Sequence, residues 1–245
     1  MWQYPPQNLS LSNNDIHIWM IEIESYRHNI YNFQEILSPD EQERINRFSS
    51  KSLKEYFIIY RGYLRIILSQ YLTIKPDEIC FTYSSKGKPL LDQKILSNIK
   101  FNLSHKNNYA VYAISKYNVG IDLEKIDEKV RVENIAKRYF CHDEFDYLIN
   151  LESSKKAEYF FKLWTIKEAY LKAIGEGLSG GLDSICFGLN KDNQPIKLVK
   201  ENHRQKKDDN WHFQTWNLLD NYIMSVAIDS PIKLKFYYYS DLSII

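Results

Sequence analysis

The sequence predicts an α+β fold, and three observations carry that prediction. Short runs near the start, middle and end of the chain alternate apolar and polar residues, the period of strands. Longer stretches between them repeat apolar residues every three or four positions, the period of amphipathic helices. Their order is strand, helices, strands, helices, strands, which divides near Lys116 into two similar halves, 1–115 and 116–245. A chain of 245 residues has ample length to bury a core, in one large domain or two small ones.

Composition narrows the function classes. The chain is 44% apolar and 26% charged with a formal net charge of +1, an ordinary globular balance without the basic excess of a general nucleic-acid binder. No apolar run approaches a membrane span, and the start of the chain (Met1-Trp2-Gln3-Tyr4-Pro5-Pro6) lacks the basic and apolar regions of a signal peptide. Cys80, Cys141 and Cys186 are odd in number and far apart, without CxxC or Cys/His spacing. They read as free thiols of a cytoplasmic protein, and no zinc motif is evident.

Taken in order, residues 15–23 alternate as a strand. Ser38-Pro39-Asp40-Glu41 predicts a helix start: Ser38 at the cap, proline at the first position, acids in the first turn. Residues 53–71 predict a helix with a broad apolar face in which Arg61 and Arg65 are interleaved. Lys86-Gly87-Lys88-Pro89 is a loop or tight turn, and Phe101-Asn102-Leu103-Ser104-His105 opens an extended segment. Residues 109–115 and 119–123 read as a hairpin through Lys116-Tyr117-Asn118. Helices follow over 132–140, 142–150 and 155–174, the last closed by Gly175 and Gly177. Strands return over 185–189, 211–218, 222–228 and 234–239, with 200–210 a charged, solvated loop.

Two stretches carry chemistry. In Val119-Gly120-Ile121-Asp122-Leu123-Glu124-Lys125 the strand period turns Asp122 and Glu124 to one face, with alpha carbons roughly 7 Å apart. In the last long helix the apolar stripe runs Ala157, Phe160, Phe161, Trp164, Leu171, Ile174, and Glu168 falls on that stripe. A carboxylate there is costly to ionise unless a cation answers it. Three carboxylates on a strand and a helix make a hard-metal site, and neighbouring lysines would favour a phosphate substrate. Taken singly, Glu168 with Lys172 would be an ordinary surface pair four residues apart, and Asp122 with Glu124 the polar face of an edge strand. Lys167 reads equally as a phosphate contact or a half-exposed lysine, and Trp164 as core packing.

Lys86-Gly87-Lys88-Pro89, Phe101-Asn102-Leu103-Ser104-His105, Val119-Gly120-Ile121-Asp122-Leu123-Glu124, and Trp164-Thr165-Ile166-Lys167-Glu168-Ala169-Tyr170-Leu171-Lys172 with Gly175-Glu176-Gly177-Leu178 resemble the 4'-phosphopantetheinyl transferase superfamily. The type resembled is the long, surfactin-synthetase-activating one, over roughly residues 38–187 and in the family's order. The resemblance implies a pseudo-twofold α+β monomer whose active site lies in the cleft between two similar halves. It implies transfer of the 4'-phosphopantetheine arm from coenzyme A to a serine of an apo acyl, peptidyl or aryl carrier protein, with release of adenosine 3',5'-bisphosphate.

Carried over residue by residue, Asp122, Glu124 and Glu168 become Mg²⁺ ligands. Arg44, Arg61, Lys88, Pro89, Ser104 and His105 become coenzyme A contacts, with Lys172 on the pyrophosphate. Glu144 matches a glutamate that helps order the site. Serine is a poor nucleophile at neutral pH, so a base must take its proton: Glu168, directly or through a metal-bound water, with Glu144 the second choice. Some relatives place two lysines after the Ser-Pro helix start, where this chain has Glu41 and Arg44. Arg44, Arg61 and Arg65 are therefore the candidates for the 3'-phosphate. Lys125, Lys129, Arg131, Lys137 and Arg138 form a candidate docking patch for an acidic carrier. Two other readings stand beside this one: a metal-dependent nuclease built on Asp122-Leu123-Glu124-Lys125, and a carrier-binding module without turnover.

Overall fold

The computed structural model of the chain describes residues 2–13, 15–177, 181–189, 195–201, 204–205, 210–219, 221–230 and 233–238. Two sheets pack face to face, and one long helix covers the outer face of each. The first sheet has the order β12 (Lys233–Tyr238), β1 (Asp15–Glu22), β5 (Tyr109–Ser115), β4 (Lys100–Lys106). Strand β12 runs parallel to β1; the other pairs are antiparallel. The second has the order β10 (His212–Leu218), β11 (Tyr222–Ile228), β6 (Val119–Lys125), all antiparallel. Smaller sheets join β2 (Phe81–Tyr83) to β3 (Pro89–Leu91) and β7 (Ile185–Leu189) to β8 (Pro195–Glu201) and β9 (Arg204–Gln205). The α-helices are α1 (Ile30–Glu35), α2 (Pro39–Asn46), α3 (Lys51–Leu72), α4 (Val132–Tyr139), α5 (His142–Ile149) and α6 (Ser153–Ile174).

Alternation along the strands sets the layers. Ile16, Ile18 and Met20 of β1, with Val111 and Ala113 of β5, meet Val119, Ile121 and Leu123 of β6 and Met224, Val226 and Ile228 of β11. The other face of the first sheet, with Trp19, Ile21, Tyr112 and Ile114, packs on α3. On β6 the opposite set is Gly120, Asp122 and Glu124, so these face α6. Gly120 is required there, because a Cβ would stand 1.8 Å from the Ala169 carbonyl oxygen. A one-residue slip would turn the two acids into the apolar layer, which fixes the register.

Helix α3 departs from the expected amphipathic form. Every residue from Phe57 to Leu68 is buried, so the helix is enclosed on all sides. Helix α6 ends at Gly175 in the left-handed region (φ 83°), as the sequence predicts. Among the described residues no helix is long and apolar enough to cross a membrane.

Two expectations of strand pairing are corrected. Strands β5 and β6 do not form a hairpin: β5 lies between β1 and β4, and β6 pairs with β11. None of residues 116–118 has positive φ, whereas Asn107 (φ 50°) joins β4 to β5, and Leu219 (φ 40°) and Asn221 (φ 68°) join β10 to β11. The connection at 116–118 carries the chain from one sheet to the other. Residues 200–201 and 204–205 belong to β8 and β9, paired with each other, not to an open loop; residues 202–203 and 206–209 of that expectation, like Leu178 and Tyr239, lie outside the described residues.

Cys141 and Cys186 are joined in a disulfide across 45 residues of sequence, and Cys80 is free and exposed. The expectation of three free thiols is thereby corrected for Cys141 and Cys186; spacing gave no sign of the pair, because tertiary contacts create it. The Glu144 carboxylate accepts the backbone N–H of Cys141 (3.2 Å) and of Phe187 (2.8 Å), which brings the start of α5 beside β7.

Candidate functional site

The site forms where β4, β6 and α6 converge. Asn102 is buried in β4 and its Oδ1 accepts the Ile121 N–H at 2.9 Å, clipping β4 to β6. Two residues on, Ser104 Oγ donates to Asp122 Oδ1 at 2.8 Å. Two further, the Lys106 ammonium lies 2.5 Å from Glu124 Oε2. From α6, Lys172 Nζ donates to Asp122 Oδ1 (2.6 Å) and Ser104 Oγ (2.9 Å).

A cavity of about 440 Å³ opens here, and Arg44, Tyr60, Arg61, Pro89, Ser104, His105, Asp122, Glu124, Glu168 and Lys172 are among its lining. All of these except Tyr60 are residues that the sequence singles out for the site, and the structure brings them together. His105 stacks on Tyr60 with ring centroids 4.3 Å apart, and burial, with Lys172 nearby, lowers its imidazole to about 4. Half-buried Trp164 packs on Phe160 and Tyr139 but also lines the cavity.

Other residues fall elsewhere. The Lys88 ammonium donates to the Lys172 (2.6 Å) and Ala173 (3.0 Å) carbonyls at the end of α6, and burial pulls it down to about 8. It clamps the helix end; Gly87 and Pro89 of that motif line the main cavity, and Lys88 lines a smaller one that shares Glu168 and Lys172 with it. Arg61 lies in the cavity wall, yet its guanidinium is paired with Glu41, which also holds Arg65. Arg44 has no carboxylate partner among the described residues; its guanidinium lies 5.3 Å from the centroid of the Phe57 ring. Lys167 is fully buried, neither half-exposed nor able to reach the cavity: its ammonium holds Glu144 (2.6 Å) and the Leu182 and Ile185 carbonyls. Glu144 is thereby set apart as a structural ion-pair partner, and its place as second candidate for the base is corrected.

The acids suit a hard divalent cation. Glu168 is 7% exposed, and burial, with Asp122 and Glu124 adding to it, raises its carboxyl to about 7. Glu168 Oε1 and Asp122 Oδ2 are buried without a hydrogen-bond partner; Glu124 Oε2 also accepts none of good geometry and has only the Lys106 charge. Orphaned carboxylate oxygens around a wet cavity are costly unless a cation takes them. Among the described residues the tight set of ligand atoms is instead Cys141, Glu144 and Cys186. Its two sulfurs are bonded to each other and its carboxylate holds Lys167, so it is no metal centre.

Lys106 was missed from sequence, although the signal was present: Asn102, Ser104 and Lys106 share one strand face. Tyr60 was read as core, because nothing in a helical stripe marks which aromatic ends at a cavity wall.

The family model described as the 4'-phosphopantetheinyl transferase superfamily matches residues 118–227, and that of 4'-phosphopantetheinyl transferase, N-terminal, matches 24–117. The 4'-phosphopantetheinyl transferase HetI of Nostoc sp. is 35% identical over 93% of this chain and 93% of its own. A putative 4'-phosphopantetheinyl transferase of Synechocystis sp. is 33% identical over 86% and 85%. The 4'-phosphopantetheinyl transferase Sfp of Bacillus subtilis is 28% identical over 81% and 85%.

Proposed function

From a chain that belongs to the 4'-phosphopantetheinyl transferase superfamily, an enzyme family that modifies carrier proteins, we propose the following reaction and division of labour. Coenzyme A binds in the cavity between the halves, and the hydroxyl of a carrier serine attacks the phosphate that bears the pantetheine arm. Adenosine 3',5'-bisphosphate leaves. The single observation that carries this reading is the meeting of unpartnered carboxylate oxygens of Asp122 and Glu168 with Lys172 and Arg44 in one cavity.

Asp122, Glu124 and Glu168 would hold Mg²⁺, which supplies neutralisation of the pyrophosphate charge. Glu168 takes the serine proton, directly or through a water, because it is the acid of the set with no counter-charge from within the chain and lies in the wall of the same cavity. Lys172 stabilises the charge that grows on the leaving bisphosphate. Ser104 and His105 orient the nucleotide from β4, and Arg44 takes the 3'-phosphate because Arg61 and Arg65 are occupied by Glu41. Pro89 forms part of the wall. The halves 1–115 and 116–245 remain our working division; the two family models abut within two residues of it, at 117 and 118. We read the enzyme as a cytoplasmic monomer with no nucleic-acid or membrane partner.

One assay tests this. The enzyme is incubated with coenzyme A, Mg²⁺ and a panel of apo carriers from fatty-acid, polyketide and nonribosomal-peptide systems, and the carriers are weighed. A gain of one phosphopantetheine arm is expected. Cleaved nucleic acid in a parallel reaction would select the nuclease, and complex formation without mass gain the inactive module.

A further inference from the structure

Lys106 is the one cation at the three acids to which the reaction scheme gives no task. It ends β4 and faces β6, with its ammonium 2.5 Å from Glu124 Oε2; its side chain is 40% exposed and that of Glu124 19%. Lys172 stands on Asp122 in the same way, at 2.6 Å. Two of the three acids thus carry a counter-charge from within the chain, and Glu168 does not.

The placement of Lys106 is asymmetric. It lines a second cavity of about 590 Å³, whose wall includes Lys125, Ile126, Phe160 and Phe161, and it does not line the catalytic one. Glu124 and Trp164 line both. Glu124 is therefore the partition: one way its carboxylate meets Lys106, the other way it meets whatever Asp122 and Glu168 hold. Two cations on one carboxylate repel each other strongly at these separations.

We propose that Lys106 is a positioning residue that competes with the divalent cation for Glu124, so that loading of the catalytic cavity frees the Lys106 ammonium at the second cavity. This rests on the metal-site reading given above. With Lys106 and Lys172 in place the three acids, when all are ionised, retain a formal net charge of about −1 in place of −3, which weakens binding of a bare cation. The pyrophosphate of coenzyme A brings its own negative charge and can draw Lys172 away. Cation and nucleotide thus strengthen each other's binding, and by linkage the coupling is reciprocal.

The test is titration of the full chain with Mn²⁺ at low salt without coenzyme A, with free Mn²⁺ read by its electron paramagnetic resonance signal. Lys106→Met should bind Mn²⁺ about fivefold more tightly than the unaltered chain, with the gap narrowing when coenzyme A is added. Lys106→Arg, which keeps the charge, should match the unaltered chain. Lys125→Met should match it too, since that ammonium lies in the same cavity wall but over the Tyr222 ring, 5.6 Å from its centroid. Equal or weaker Mn²⁺ binding by Lys106→Met would overturn the inference. Asp122→Asn separates the two levels: if it binds Mn²⁺ like the unaltered chain, the metal site is wrong and the inference falls with it. If Asp122→Asn loses Mn²⁺ while Lys106→Met is unchanged, only the role of Lys106 falls.

Discussion

Helices α3 and α6 are each 22 residues long, and each covers the outer face of its own sheet. Each buries cations in its middle, and each finds its counter-ion at the same place, the third residue of a short preceding helix. Glu41 of α2 accepts the Ser38 N–H and holds Arg61 and Arg65; Glu144 of α5 accepts the Cys141 N–H and holds Lys167. The correspondence supports the proposed pseudo-twofold relation. The difference is that α6 adds a second polar pair, Glu168 and Lys172, on the face toward β6, whereas α3 sends the ring of Tyr60 and the Arg61 side chain to the cavity wall. A buried charge is therefore no mark of chemistry here. The oxygens of Glu41 and Glu144 are all taken, while Glu168 and Asp122 each keep one without a partner.

The sharpest test of that contrast removes one acid that keeps an unpartnered oxygen. Glu168→Ala or Asp122→Ala should lower turnover about a thousandfold or more, with far-ultraviolet circular dichroism and the urea midpoint near those of the unaltered chain. Loss of fold together with activity would place Glu168 with the structural acids.

The structural acids should behave in the opposite way. Glu41→Ala or Glu144→Ala leaves buried cations unanswered and should cost about 3–5 kcal/mol of stability, read from urea unfolding. Replacing both members of the structural pair, as Glu144→Leu with Lys167→Met, should recover much of that loss, because two well-packed apolar groups need no desolvation. If Glu144→Ala keeps full stability and instead abolishes turnover, Glu144 is the base after all.

The disulfide marks a further asymmetry, since among the described residues it ties only the α5–α6 half. Peptide mapping without reductant should recover Cys141 joined to Cys186 with Cys80 unmodified. Reduction should lower stability by about 2–4 kcal/mol, seen as a lower thermal midpoint, and Cys80→Ser should leave that shift in place.

Most of the elements were legible because period and capping are local. The α2 start, the Gly175 end of α6 and the strands β5, β7 and β11 follow from residues within a turn or a strand. Sheet order was not legible: β5 and β6 adjoin in sequence, yet each finds its partners across tens of residues. Glu168 could be singled out because a carboxylate on an apolar stripe conflicts with its surroundings, and Asp122 and Glu124 because the strand period turns both to one face. Lys167 was left open between a phosphate contact and a half-exposed lysine, and is neither, since a lysine on a buried acid and carbonyl oxygens looks the same in sequence as one on a phosphate.

The first sheet carries a buried histidine whose protonation bears on stability. His17 of β1 is buried with Nδ1 2.7 Å from the Tyr71 hydroxyl, which accepts the Trp19 indole N–H. Asp15 (3.7 Å), itself paired with Lys235 of β12, and Lys235 are the charged groups that bear on it. Burial holds the imidazole down to about 4 from 6.5. Because the folded value is the lower one, the unfolded chain binds the extra proton first, and stability falls as pH drops from 6.5 toward 4. His17→Gln should flatten that part of the stability curve in urea melts from pH 7 to pH 4. An unchanged slope would move the acid-sensitive group elsewhere.

The smallest expected effect tests the surplus charge of the first half. Glu41 neutralises one of two arginines, so Arg61, Arg65 and Arg44 together leave the α2–α3 side positive, whereas Glu144 and Lys167 balance. Arg44 is the member with no carboxylate partner among the described residues, and it lies in the cavity wall. If the surplus serves the nucleotide's 3'-phosphate, Arg44→Ala should weaken coenzyme A binding about tenfold, the loss of one exposed charge-assisted contact. Its thermal midpoint should barely move, because the guanidinium rests on Phe57 and holds up no buried acid. The defect should shrink for a coenzyme A analogue lacking the 3'-phosphate, for which the altered and unaltered chains should bind alike. Equal loss with both ligands would mean that Arg44 meets the pyrophosphate or the adenine instead, and the charge difference between the two halves would then have no part in choosing the nucleotide.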